Sequence, residues 1–479
     1  MIIRTIVDGS GRMADRDSEK ELDKMIEAPV QGLIASLAVP AVAGMLVSAA
    51  YNLVDAYYVG RVGTEASAAV GVVFPLEAFL QALGYTLGMG AAGQMSRLLG
   101  EKRNQEADSV LSTAVFSAVG VGAAVAVLGL VFLSPLMRFL GAIPPVMPYA
   151  VAYAAWLLPG APLMCASFVL NCGLRAEGKT KLAMAGVLTG CLANVALAPF
   201  FLFSLRMGIA GAGLASALSQ ALSFFVLLFC YARGRTIVKI SPKRFSFGRG
   251  VQVSIWKTGA PSFIHQGMNS AASVVLNIVT SGFGDAALAA MSIVSRSFYF
   301  ILAALIGFGQ GLQPVAGYNY GAKRYDRVWQ GFWFSLLAGA SGMLALCAAG
   351  FFFAPHVVAL FRPGDALVIA DGALALRAQC VTAPVHTFVV LSNMMFQSIG
   401  RTKRASLIAA MRQGICFLPA VLILPHFLGF RGVQFAQSAA DVLSFLLCIP
   451  AAAPFLGRLR GSARTGRTPG KKYVSPEDR

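Results

Sequence analysis

The sequence predicts an all-α membrane protein of twelve transmembrane helices, arranged as two pseudo-symmetric six-helix bundles. Three observations lead there. Of 479 residues, 57% are hydrophobic and 13% charged, and the mean hydropathy of +0.69 exceeds what a soluble core needs. The apolar residues fall in continuous runs of about 20 or more, the helical length that crosses a bilayer core; strands of a barrel would instead alternate every second residue. The chain also repeats itself. Residues 30–230 and 250–455 carry the same punctuation at an offset of 221: Pro40 maps to Pro261, Gly63 to Gly284, and Gly88 and Gly90 to Gly309 and Gly311. Gly100 with Lys102-Arg103 maps likewise to Gly321 with Lys323-Arg324, and Gly208 and Gly211 to Gly429 and Gly432. One stretch, Gly178-Lys179-Thr180-Lys181 against Gly400-Arg401-Thr402-Lys403, runs at 222. Duplicated halves with the transported solute handled between them are the usual construction of a secondary transporter.

The elements follow in chain order. Residues 1–29 mix acids and bases and hold no apolar run of signal-peptide length. They read as a cytoplasmic tail with a short amphipathic helix around Ser18–Ile26. The first bundle, 30–231, takes spans at 33–58, 66–93, 109–133, 146–172, 182–204 and 208–231. A basic linker over 232–250 carries Arg233, Arg235, Lys239, Lys243, Arg244 and Arg249; it reads first as a positive-inside anchor and second as a contact for anionic lipid heads. The second bundle, 251–456, takes spans at 252–281, 286–316, 330–354, 367–396, 405–427 and 431–456, and 457–479 is a basic tail low in apolar residues. With these spans, the loops assigned to the cytoplasm and the C-terminal tail hold 25 Lys and Arg against five outside. That asymmetry puts both termini inside a cell (inner or plasma) membrane. The net charge of +18 is thereby topology rather than a nucleic-acid footprint.

Other function classes find no support. Gly88-Met89-Gly90 and Gly309-Gln310-Gly311 lack the Lys-Ser/Thr of a phosphate loop and read as close helix packing or bends. No Ser-His-Asp arrangement or metal-ligand spacing occurs in the aqueous loops, so neither an enzyme nor a cofactor is expected. The eight cysteines lie in or near spans without a Cys-x-x-Cys pair, which favours packing thiols over disulfides.

Charge inside a span costs about 2.5–3.5 kcal/mol on insertion scales, and only Asp55, Glu77 and Asp441 fall well inside one. Asp55 lies toward the outer end of the first span with Tyr51 and Asn52 one turn earlier. Glu77 follows Pro75 in the second, with Gln81 one turn on. Proline frees a carbonyl one turn earlier, which a protonated Glu77 can satisfy. Asp441 sits in a polar stripe with Gln434, Gln437 and Ser444, and is either a contact for a cationic solute or half of a buried pair with Arg412 or Arg296. The seventh span carries Ser262, Gln266, Asn269, Ser273 and Asn277 on one face; the tenth carries Gln379, Thr382, His386, Asn393 and Gln397. Such stripes face protein or a wet cavity, not lipid, and make Gln266, Asn269, Ser273, Asn277, His386, Asn393, Gln397 and Asp441 candidate substrate-cavity residues. His386 and His265 read as neutral hydrogen-bonding groups before proton carriers.

The motifs together carry a family resemblance: Tyr51-Asn52-Leu53-Val54-Asp55, Gly88-Met89-Gly90 with Ser96-Arg97-Leu98-Leu99-Gly100, Gly309-Gln310-Gly311-Leu312-Gln313-Pro314, Gly317-Tyr318-Asn319-Tyr320-Gly321, Gln397-Ser398-Ile399-Gly400-Arg401 and Arg412-Gln413-Gly414. In order and spacing the chain from 30 to 455 resembles the multidrug and toxic compound extrusion (MATE) family of the MOP superfamily, and within it a MepA-like member on the DinF-related branch. The resemblance implies a V-shaped pair of bundles rocking between inward-open and outward-open states. It also implies a monomer that exports bulky amphipathic drugs or organic cations in exchange for H⁺ or Na⁺. On that branch the acid of the first helix couples the cation, with Asn, Asp and Thr from the fifth and sixth helices; here those positions are Asn194, Ala198 and Ser216. Ala198 lacks the second carboxylate, which weakens a Na⁺ cage at Asp55, Asn194 and Ser216 and favours a proton on Asp55; Glu77 either substitutes for the absent acid or is a neutral group hydrogen-bonding between helices. The acids that the NorM-like branch places on its seventh and tenth helices are absent here, which puts coupling in the first half. Two other functions remain: a flippase for lipid-linked saccharide or peptidoglycan precursors, which would want more intramembrane cations than Lys257, Arg296, Arg377 and Arg412, and a non-transporting membrane scaffold.

Overall fold

A computed structural model describes residues 23–61, 64–234, 236–246 and 248–465. Among them every regular element is helical. The elements are α1 (Val30–Gly60), α2 (Thr64–Gly100), α3 (Asn104–Val131), α4 (Leu133–Phe139), α5 (Met147–Leu157), α6 (Ala161–Ala176), α7 (Thr180–Pro199), α8 (Ile209–Ala232), α9 (Arg249–Ser281), α10 (Asp285–Gly321), α11 (Tyr325–Phe352), α12 (Ala354–Phe361), α13 (Ala366–Ser398), α14 (Thr402–Ala410), α15 (Leu418–Leu428) and α16 (Phe430–Thr465). A 3₁₀ turn at Leu158–Gly160 joins α5 to α6, and the π-helical turn Met411–Phe417 joins α14 to α15, so each pair makes one span. A second π turn, Phe200–Ser204, extends α7.

Eleven of these rods are long and apolar enough to cross a membrane. The twelfth is α9, whose 33 residues would cross comfortably. Its polar stripe, with Lys257 and His265, holds down its hydropathy, and its repeat partner α1 identifies it as a span. The described residues thus form a multi-pass membrane protein of twelve spans. The expected end of the last span at 456 falls short: α16 continues to Thr465. Of the expected helix around Ser18–Ile26, residues 23–27 are helical and the remainder lies outside the described residues.

The repeat extends to backbone angles. Lys102 and Lys323, both non-glycine, have φ of 60°; Gly178 and Gly400 have 80°; Gly208 and Gly429 have 57° and 58°. Lysine rarely adopts this left-handed conformation, so its recurrence at both ends of the 221-residue offset marks the same turn built twice.

The described chain packs into two compact units that each draw on both sequence halves. Unit one comprises Val39–Met95 and Arg103–Gln266; unit two comprises the described parts of Glu21–Ala38, Ser96–Lys102 and Gly267–Arg479. In unit one α3 packs on α6, α5 and α6 on α8, and α7 on α8. The core there gathers Val73, Leu76, Tyr153, Leu157, Leu202 and Ala212. A methyl group added at Gly90 would overlap the carbonyl of Ile255, and one at Gly259 that of Thr86, so the expected close packing at Gly90 is real. In unit two the equivalent pairs recur: α11 on α13, α13 on α16 and α15 on α16. Met291, Phe298, Leu305, Met343 and Leu376 fill the core. Buried Arg327 donates to the carbonyls of Glu27 and Ala28, and Asn319 donates to that of Met25, which fastens the segment ahead of α1 to this unit. All eight cysteines are free and buried.

The linker is more ordered than a plain anchor. Ile237 and Val238 donate their amides to Glu177 Oε2 and Oε1 at 2.8 and 3.3 Å. Lys239 N–H donates to Asp108 Oδ1 at 2.7 Å, Ser241 N–H to Ser112 Oγ at 3.1 Å and Ser246 N–H to Thr113 Oγ1 at 3.0 Å. Glu177 is only 2% exposed, and Val238 is fully buried. Removing that acceptor orphans two buried amides, at about 1–3 kcal/mol each. Glu177→Ala is expected to lower the melting temperature and open 236–246 to limited proteolysis, whereas Glu177→Gln keeps one acceptor and part of the protection.

Candidate coupling and substrate site

In unit one, α1 presents Tyr51, Asn52 and Asp55 near its Gly60 end. Tyr51 and Asp55 are half-buried and one turn apart, while Asn52 is exposed. A hydrogen bond between Ser48 and Cys191 ties this stretch of α1 to α7. From α2, half-buried Glu77 hydrogen-bonds Gln81 and lies within electrostatic reach of Asp55. Tyr51 and Tyr153 each interact with both carboxylates. On the far side, Asn194 of α7 donates Nδ2–H to Ser216 Oγ of α8 at 3.3 Å, and Ser216 in turn hydrogen-bonds Tyr153 of α5. Asn194 and Ser216 are buried.

Four helices, with Tyr153 of a fifth, thus bring the six sequence-derived coupling candidates, Tyr51, Asn52, Asp55, Glu77, Asn194 and Ser216, into one neighbourhood. Asn52 alone stands exposed at its edge. Ala198 is 1% exposed and belongs to the buried cluster that also holds Tyr153, Leu157, Leu202 and Ala215. Sequence reasoning missed Tyr153, 3% exposed, which bridges the carboxylates to the Asn194–Ser216 pair. Its one signal was a hydroxyl in the middle of an apolar run, where a buried tyrosine needs a partner.

Unit two holds a different arrangement. Asp441 is fully buried, and its Oδ1 accepts from Arg412 Nε at 2.7 Å and from Gln437 Nε2 at 3.3 Å. Thr382 donates Oγ1–H to the other oxygen at 3.4 Å. Of the two partners open from sequence, the structure chooses Arg412; Arg296 is exposed. Arg412 projects from the π turn, a geometry that inserts an extra residue and redirects side chains. Gln434, expected in the same stripe, bonds the Asp371 carbonyl and Oδ1 at 3.1 Å instead.

The remaining cavity candidates are scattered. Asn269 accepts from Gln413 at 3.4 Å, and Asn393 donates to the Ala405 carbonyl at 2.7 Å. His386 and Gln397 are buried, whereas Ser273 and Asn277 are exposed. Gln266 falls in unit one with Ser262, whereas Asn269, Ser273 and Asn277 fall in unit two. Among the described residues no group of three His, Cys, Asp or Glu is placed to hold a metal ion.

Known proteins agree with this architecture. The family model described as MatE matches residues 40–200 and again 261–422, two segments whose starts are separated by the same 221 residues as the internal repeat. The chain is 23% identical over 435 residues to multidrug export protein MepA of Staphylococcus haemolyticus (strain JCSC1435), covering 90% of this chain and 95% of that one. It is 24% identical over 432 residues to MepA of Staphylococcus aureus (strain MRSA252), covering 89% and 94%. Among solved structures, a MATE protein in complex with MaL6 superposes with a TM-score of 0.87 at 26% identity, covering 91% of this chain and 99% of that one. An outward-facing multidrug resistance MATE family transporter of the MOP superfamily gives 0.87 at 26%, covering 91% and 98%. With two-thirds of its length matched by the family model and 91% of it sharing the fold of solved MATE structures, the chain belongs to the multidrug and toxic compound extrusion (MATE) family of membrane transporters.

Proposed function

We propose that this protein is a proton-coupled antiporter that exports amphipathic, often cationic compounds from the cell, with Asp55 as the coupling carboxylate and Glu77 as its partner. The supporting relatives are multidrug export proteins. The observation that carries the mechanism is the Asp55–Glu77 interaction inside unit one, in a site shared by five helices. Two carboxylates in one poorly hydrated site repel when both are charged, so the site favours holding one positive charge. A proton meets that need with the hydrogen bonds present. Na⁺ asks for several oxygen ligands, and Ala198 supplies none, although Asp55, Asn194 and Ser216 remain as three.

Binding of a cationic solute, or a conformational change that rehydrates Asp55, would release the proton, and re-protonation would reset the carrier. Both termini face the cytoplasm in this reading, from the distribution of Lys and Arg. The flippase alternative is less well supported, because Arg412 is already paired with Asp441.

Proteoliposomes loaded with a cationic dye separate the coupling ions. Efflux is expected to follow an imposed pH gradient, to stop when nigericin collapses it, and to ignore a Na⁺ gradient. Efflux driven by Na⁺ at zero pH gradient would replace the proton by Na⁺; no gradient-dependent efflux of any cationic dye would reject the antiporter.

A further inference from the structure

Beside the linker in unit one lies a cavity of about 470 Å³, lined by Gln105, Ser109, Lys243, Arg244, Phe245 and Ser246. The transport reading does not use it. We propose that this cavity binds a phosphate-bearing anion, either the headgroup of an anionic phospholipid or free phosphate, with Lys243 as the principal charge.

The lining fits that chemistry. It offers two cations, an amide and one hydroxyl free to donate, that of Ser246, and no carboxylate among its six residues. The lysine is exposed, and among the described residues no carboxylate pairs with it. Arg244 is held in place by Asp108, so it contributes direction and hydrogen bonds more than net charge. Glu106, the acid of the same helical turn, is bonded bidentately to Arg103 at 2.7 Å, which neutralises it. Ser246 Oγ accepts from Gly248 N–H at 3.3 Å and leaves its own proton for a ligand.

The wall is built in advance of any ligand. Asp108, Ser112 and Thr113 of α3 fix the linker through its amides. Ser109 Oγ donates to the Arg244 carbonyl at 3.0 Å, and Ser241 caps the short turn Pro242–Arg244. The Phe245 ring sits edge-on to Phe116 at 6.0 Å. A fixed wall lowers the ordering cost of binding, and the volume suits a small polar headgroup.

Depth favours a lipid source. α3 has 28 residues, about 42 Å of helix, against a hydrocarbon core of about 30 Å. Its terminal turns must therefore lie among headgroups. Gln105 and Ser109 occupy the first two turns, and the uninterrupted apolar stretch begins only beyond them.

The rival explanation is unspecific attraction of a basic segment to an anionic surface, and Lys239 separates the two. It lies on the same linker, is exposed, carries the same charge and does not line the cavity. The full-length protein is reconstituted in phosphatidylcholine nanodiscs with graded phosphatidylglycerol, and retained lipid is counted by native mass spectrometry. Lys243→Ala is expected to weaken phosphatidylglycerol retention by about tenfold, the worth of one charge-assisted hydrogen bond. Lys239→Ala should leave it within about twofold, and Lys243→Arg should restore most of it. Unchanged melting of Lys243→Ala in phosphatidylcholine alone confirms its fold. In detergent, inorganic phosphate that competes with the lipid and protects the wild type against heat assigns the site to phosphate in general; no such effect assigns it to the lipid headgroup. Equal losses for Lys239→Ala and Lys243→Ala, or retention no greater than that of phosphatidylcholine, would overturn the proposal.

Discussion

Replacing Arg412 with alanine is expected to destabilise the protein by about 3–5 kcal/mol, the cost of leaving a buried charge without its partner. Asp441 is fully buried, and Arg412 is 6% exposed. The carboxylate accepts one charged and two neutral hydrogen bonds, and without the guanidinium the two neutral donors cannot balance its charge. The alternative for the mutant is to protonate Asp441, which preserves the fold at the expense of making its stability pH-dependent. Asp441→Asn exposes the complementary fault, an uncompensated guanidinium. The double variant Arg412→Met with Asp441→Leu removes both charges and should recover most of the loss, because well-packed apolar replacements of buried pairs are often neutral. Thermal unfolding of the wild type, Arg412→Met, Asp441→Leu and the double variant in one detergent gives the coupling as a double-mutant cycle. Losses that simply add would show that the pair is not the source of the effect.

Asp55→Asn carries the largest expected effect on function. The substitution keeps size and hydrogen-bonding reach at a half-buried position, so the protein should fold and bind cationic dye. What it removes is the capacity to carry an exchangeable positive charge, and pH-gradient-driven efflux should fall to the level of empty liposomes. Asp55→Glu retains the charge on a longer stem and should preserve part of the rate. Glu77→Gln is expected to be milder: efflux persists, and its pH dependence shifts, because Glu77 acts on Asp55 through their interaction. If Glu77→Gln left the pH profile unchanged while Asp55→Asn abolished efflux, Glu77 would be a structural acid bonded to Gln81, and its assigned role would fall.

Much of this architecture was legible in the chain because the bilayer imposes it. A span needs a long apolar run and internal backbone bonding, so eleven helices declare themselves by hydropathy and α9 by its match to α1. The 221-residue offset reappears as matched backbone angles at Lys102 and Lys323. Tertiary choices were less visible. The linker reads as a string of basic residues, and its order comes from Asp108, Ser112 and Thr113 on a helix some 130 residues away. Asp441 had two cationic candidates at plausible depth, and only the π turn that aims Arg412 decides between them. Tyr153 reads as packing until Ser216 and the two carboxylates are beside it. Periodicity also cannot reveal that the start of α9 packs in unit one while the stripe it begins continues in unit two.

The most direct test of the coupling assignment needs no gradient. Purified protein in weakly buffered detergent, with a pH indicator, is titrated with a cationic export substrate. The wild type should release protons on binding, and Asp55→Asn, binding the same substrate, should release none. Equal proton release from the two proteins would contradict the assignment of coupling to Asp55.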